Sequence, residues 1–171
     1  MRAAAAHDGT MPAGVYAAAT VVISQCVMIP VALFAASRAQ KSGYSLLITA
    51  ALLVLPLRAA IASAWPGALG MIPVQILDGL AAGLLGVAVP GYIVNVLAGS
   101  GHTNAGQGAI MLMQGAGAAM SPALAGTIAA RYSYSTAFAA LGVIALTALA
   151  LWWVGGRFER RSDNAEPERG K

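Results

Sequence analysis

The chain has 171 residues, of which 58% are hydrophobic and only 9% are charged, whereas a soluble domain carries about 25% charged residues. This composition excludes an ordinary soluble domain and predicts a membrane protein. The net charge is +4, but nine of the sixteen charged residues lie in the last fifteen positions and only five lie between residues 9 and 156. No face of the chain could therefore follow a phosphate backbone, and nucleic acid is not an expected partner.

Cysteine and histidine residues are too few and too scattered to indicate a disulfide framework or a metal site. Cys26 is the single cysteine, and His7 and His102 lie far apart in polar segments. The sequence motifs of nucleotide-binding and hydrolytic enzymes are absent as well. We expect no metal, no cofactor and no enzymatic activity.

Five membrane-spanning helices are predicted, because a bilayer core requires about 20 consecutive apolar residues per helix. In chain order they cover approximately residues 14–36, 44–64, 71–97, 107–130 and 136–154. The expected fold is all-α, a polytopic transmembrane helical bundle. It divides into an outer N-terminal tail over residues 1–13, a membrane domain over 14–156 and a disordered cytoplasmic tail over 157–171.

The distribution of basic residues predicts how the bundle is oriented. One side holds the 37–43 loop, the 98–105 loop and the tail, and it carries seven basic residues, among them Arg38 and Lys41. The other side carries only Arg2 and Arg131. Because basic residues accumulate in cytoplasmic loops, the N-terminus is expected outside and the C-terminus inside.

The second and third helices each carry one full charge inside the predicted bilayer, Arg58 and Asp78. Arg58 is seven residues before Trp65 and Asp78 is seven residues after Met71, which places both about 10 Å below the outer boundary. Antiparallel neighbours would bring them to one level, so an ion pair is predicted. It either takes part in proton coupling, with Asp78 as the titrating group, or is a static link between two helices.

Polar side chains on several helices could line a cavity or form interhelical hydrogen bonds, and the sequence leaves both roles open. On the fourth helix they follow one stripe with the period of an α-helix. The candidates are Gln25, Gln75, Gln107, Met111 and Gln114.

Small residues and prolines share faces on the third and fourth helices. Small side chains let helix backbones approach closely, so helix packing is their expected role. These residues are Gly79, Gly83, Gly86 and Pro90 on the third helix, and Gly115, Pro122 and Gly126 on the fourth.

Three segments carry a resemblance to a known family: LPLRAAIAS, QILDGLAAGLLGVAVPGYIVNVL and NAGQGAIMLMQGAGAAMSPALAG. Together they resemble the C-terminal half of bacterial major facilitator superfamily transporters. The resemblance implies that the five helices are the last five of twelve. The first helix of this half and the whole N-terminal half are then expected to be missing, unless another chain supplies them. The segment SRAQKSGYS is similar to the family's short basic cytoplasmic loop, and it keeps Arg38 and Lys41.

The resemblance also implies a function and a location. We expect a secondary transporter of the bacterial inner membrane that exports small organic molecules by alternating access. Its expected partners are the lipid bilayer, a small-molecule substrate, and the missing N-terminal half or a second copy. The alternative is a small non-transporting membrane scaffold or accessory protein, or an inactive truncated product.

Overall fold

The computed structural model describes residues 13–65, 67 and 69–164, and every regular element within them is a helix. The five helices are α1 (Ala13–Ser42), α2 (Tyr44–Ala64), α3 (Met71–Val96), α4 (Thr103–Arg131) and α5 (Tyr134–Asn164). Four of these described helices, α1, α2, α3 and α5, contain apolar stretches of 21 to 26 residues that are long enough to cross a membrane. The all-α membrane bundle predicted from composition is thus confirmed.

Helix α4 differs from the other four helices in composition. It has 29 residues, which is ample length, but it is not among the helices that are apolar enough to be candidate spans. Gln107, Gln114 and Ser121, together with several glycines, lower its hydropathy. That α4 crosses the membrane therefore stays a prediction.

Two segments expected to be irregular are helical. α1 continues to Ser42, so the predicted 37–43 loop shrinks to Gly43. This residue has φ +79°, a conformation that glycine adopts without strain. α5 continues to Asn164, so the prediction of a disordered tail is wrong for residues 157–164. These eight residues include Arg and Glu, which favour helices, and no Gly or Pro. The predictions for residues 1–12 and 165–171 lie outside the described residues.

Helix α3 is the centre of the packing. It packs against α1 on one side and α2 on the other, while α2 packs against α5 and α5 against α4. The largest contacts therefore link the helices in the order α1, α3, α2, α5 and α4. The core lies where α1, α2 and α3 meet, and its alanines allow close approach of the backbones. Its residues are Ala35, Ala39, Leu47, Ile48, Ala51, Leu84 and Ala88.

Helix α4 lies at the edge of the bundle. It packs mainly against α5, with a small contact to α3, and none of its residues is buried. Met111, Leu112 and Met113 are 70–75% exposed. Most of the α4 surface therefore has no partner among the described helices.

Candidate functional site

The structure brings the two charges of the predicted membrane interior together. Arg58 Nη1 of α2 donates a hydrogen bond to Asp78 Oδ1 of α3. The side chains are half-buried, with 27% of Arg58 and 40% of Asp78 exposed. The two groups lie at one level because α2 and α3 are joined by a short turn, as the positions of Trp65 and Met71 predicted. The pairing itself leaves both the coupling role and the static role open.

Gly79, the residue after Asp78, sets the direction in which the Asp78 side chain points. Gly79 is buried against α1, where an added Cβ would collide with the Ser24 carbonyl oxygen and lie 2.9 Å from Val27 Cβ. Successive residues point about 100° apart on a helix. Gly79 therefore lets α3 approach α1 while Asp78 is directed to Arg58 on α2.

The predicted packing role holds for Gly83 but not for Gly86. An added Cβ at Gly83 would lie 2.8 Å from the Met28 carbonyl oxygen of α1, whereas at Gly86 it would meet nothing within 4 Å. Pro90 is exposed as well. Beyond Gly83 the buried face of α3 continues through Leu84 and Ala88, so the contact turns away from Gly86 and Pro90.

Gly115, Pro122 and Gly126 of α4 face no other helix in the described part of the chain. Gly115 and Gly126 have open space where a Cβ would lie, and Pro122 is exposed. No described helix packs against these three residues, so their role in helix packing stays a prediction. The physical reason is that α4 touches only α5 and one end of α3.

The candidate cavity residues do not converge on a single site. Gln75 is half-buried on α3, one turn before Asp78, whereas Gln25 on α1 is exposed. On α4, Gln107 is half-buried while Met111 and Gln114 are exposed. Because α4 does not pack against α1 or α2, its polar stripe lies apart from the ion pair.

The two basic residues of the predicted cytoplasmic loop lie in the last turns of α1. Arg38 and Lys41 are both exposed, and the apolar span of this helix, Ala18–Ala39, ends between them. Both charges therefore lie near the boundary of the apolar layer, where basic side chains are stabilised by water and lipid headgroups.

Several contacts that hold the bundle together were not predicted. Trp152 Nε1 of α5 donates a hydrogen bond to Thr49 Oγ1 of α2 at 2.9 Å, and the Trp152 ring packs edge-on against Tyr92 of α3, with 5.5 Å between centroids. Near the opposite end of α2, Ser135 Oγ donates to the Ser63 carbonyl oxygen at 2.7 Å. The signal available in the sequence is an aromatic side chain near the end of an apolar stretch, which indicates a boundary position but not a partner.

The chain is similar in sequence to two curated proteins that are named as transporters. Two curated proteins from Mycobacterium tuberculosis, strains CDC 1551 and H37Rv, are each named an uncharacterized MFS-type transporter. Each is 34% identical to this chain over 134 residues, which is 78% of this chain and 32% of the relative. No protein-family model matches the chain, and no solved structure matches it significantly. The similarity confirms the resemblance seen in the sequence. The chain is a helical membrane protein related to MFS-type transporters, and it spans about a third of their length.

Proposed function

We propose that the chain forms one side of a secondary active transporter that works by alternating access. The relatives named as transporters support this activity. The structural observation that carries the proposal is that α4, a long helix with polar side chains, has no buried residue.

The physical reason is the behaviour of amide side chains in hydrocarbon. Lipid tails offer no hydrogen-bond partner, so an amide such as that of Gln114 is stable there only beside other protein or a water-filled cavity. Gln114 and Ser121 are exposed on α4, and α4 is less apolar than the four candidate spans. Both observations support a position of α4 between a cavity and further helices, rather than in lipid.

We propose that the complementary helices come from an N-terminal transporter half or from a second copy of this chain. The chain matches about a third of its relatives, and one side of a cavity alone cannot enclose a transport route. By itself, this chain is expected to transport nothing.

The Arg58–Asp78 pair is the proposed coupling element. Protonation of Asp78 would remove the negative charge that holds Arg58 and would weaken the link between α2 and α3. A cycle of proton binding and release could thereby be connected to movement of these helices. The competing role is a static link, which would leave any transport independent of the proton gradient.

The finer properties of the transporter are proposed from the sequence. Small organic molecules are the proposed cargo, export the proposed direction and the bacterial inner membrane the proposed location. The basic residues of the cytoplasmic side support an N-terminus outside and a C-terminus inside. The segment GAAMSPALAG resembles the pseudo-symmetric counterpart of the family's glycine-proline antiporter motif, which belongs to the N-terminal half, and this resemblance supports export.

The cavity proposal is tested by the water accessibility of α4 in native membranes. Gln114→Cys, in a Cys26→Ser background, is expected to react with a small charged thiol reagent. Leu112→Cys lies on nearly the opposite face of α4 and serves as the matched control, expected to stay unreacted. Equal protection of both cysteines would oppose a cavity and favour the non-transporting scaffold.

Proton coupling is tested with the same cysteine. If the cavity opens and closes with proton binding, the labelling rate of Gln114→Cys changes when a pH gradient is imposed. Adding Asp78→Asn should abolish that change, whereas Asp78→Glu, which keeps the carboxyl group, should retain it. A gradient response that survives Asp78→Asn would assign the ion pair to a static role.

A further inference from the structure

An apolar groove runs along the surface between α1 and α2. It exists because both helices pack closely on α3 but touch each other only slightly, so that α3 forms its floor. Its volume is about 540 Å³. The lining residues are Pro30, Val31, Phe34 and Arg38 of α1, Leu46, Leu47, Ala50 and Val54 of α2, and Leu80 and Leu84 of α3.

Arg38 is the charged residue of this groove, and it lies at one end. The apolar span of α1 ends at Ala39, so the guanidinium group is near the level of the lipid headgroups. From there the groove extends along α1 to Pro30, eight residues or about 12 Å into the apolar layer. The groove therefore has a cation at the level of the headgroups and an apolar lining that extends from there into the membrane.

Arg38 has no ion-pair partner among the side chains that the structure describes. The acidic side chain described there is Asp78, which is paired with Arg58. The five N–H donors of a guanidinium fit a phosphate group in a bidentate manner. An anion at Arg38 therefore has to come from outside the described part of the chain.

We propose that the groove binds one anionic phospholipid, with its phosphate on Arg38 and an acyl chain between α1 and α2. The charge at the headgroup level selects the anionic headgroup, because basic pockets between membrane helices hold such lipids. The apolar lining accepts the acyl chain. This site requires only that the chain lies in a membrane, so it is independent of the transport activity proposed above.

The test is lipid retention by the purified full chain, measured by native mass spectrometry with equal amounts of phosphatidylglycerol and phosphatidylcholine. The wild-type chain should retain phosphatidylglycerol in preference. Arg38→Gln should reduce that preference roughly tenfold. Both lipids carry a phosphate, but only phosphatidylglycerol has a net negative charge, and that charge loses its cationic partner. Arg131→Gln removes an equal charge from the exposed end of α4 and should leave the preference unchanged.

A second variant tests the groove itself. Ala50→Phe keeps every charge but fills the space between α1 and α2, and it should lower retention of both lipids; circular dichroism checks that the variant stays folded. The proposal is overturned if Ala50→Phe retains lipid normally, or if Arg131→Gln weakens the preference as much as Arg38→Gln does. A lipid-free dimer would overturn it too, since a second copy would then cover the groove.

Discussion

Arg58 and Asp78 show how a single charge is tolerated inside an apolar layer. A charged side chain near the bilayer centre costs roughly 2.5–3.5 kcal/mol of insertion free energy. Each of these residues reduces that cost for the other, because their side chains meet across α2 and α3. Partial exposure of both side chains also leaves them within reach of water or of a further helix.

The contribution of the ion pair to stability can be measured by substituting one of its residues and then both. Asp78→Asn leaves the Arg58 guanidinium without its partner, and the folded bundle should lose about 1–3 kcal/mol, less than for a fully buried pair because both groups are partly exposed. The double variant Arg58→Leu, Asp78→Leu should be more stable than Asp78→Asn, because no charge remains. The readout is helix content during denaturant titration in detergent. Strict additivity of the single changes Arg58→Leu and Asp78→Leu would show that the two residues do not interact.

This pair could be predicted from the sequence, but the Trp152 contacts could not. Arg58 and Asp78 lie on consecutive helices, and their equal distance from one turn determines their relative depth. Trp152 and Thr49 are 103 residues apart, and their contact depends on which side of α2 is covered by α5. Helical periodicity does not contain that information, because α5 is apolar along most of its length.

At the level of elements, the close contact between α1 and α3 depends on two glycines. Gly79 and Gly83 are buried beneath the backbone of α1. The sequence predicted a small-residue face on α3, but Gly86 belongs to the same face and makes no contact. Sequence spacing identifies a face that can pack closely. It does not say where along that face the two helices meet.

The difference between these glycines gives a matched pair of substitutions. Gly79→Ala should destabilise the bundle by about 1–3 kcal/mol, because the new methyl group would overlap the Ser24 carbonyl region. Gly86→Ala adds the same methyl group in open space, and the higher helix propensity of alanine should leave stability unchanged or raise it by up to about 1 kcal/mol. Thermal unfolding in detergent provides the comparison. Equal destabilisation by both would contradict the observed α1–α3 contact.

Helix ends were predictable where strong signals mark them. The predicted range of the second helix agrees with α2, which ends at Ala64 before the turn that begins with Trp65. The polar segments after the first and fifth helices were expected to be irregular, yet α1 and α5 continue through them. Polarity marks the end of the apolar layer, whereas a helix continues until its backbone is interrupted, as at Gly43.

At the scale of the whole molecule, α4 decides how the chain is arranged in the membrane. Its 29 residues extend about 43 Å, which exceeds the 30 Å hydrocarbon core. The other helices account for four candidate crossings. If α4 also crosses, the loops before and after it lie on opposite sides, and the chain has the five crossings that its apolar stretches predict.

Two serines at opposite ends of α4 test this arrangement. In a Cys26→Ser background, Ser133→Cys is expected to react with a membrane-impermeant maleimide in intact cells, whereas Ser100→Cys should react only after permeabilisation. Gly67→Cys, in the turn between α2 and α3, is the control expected to behave like Ser133→Cys. Because Ser100 and Ser133 flank α4 alone, reaction of both from one side would mean that α4 does not cross. The reverse pattern would preserve five crossings but invert the orientation, and Arg38 and Lys41 would then face outward against the rule that basic loops stay inside.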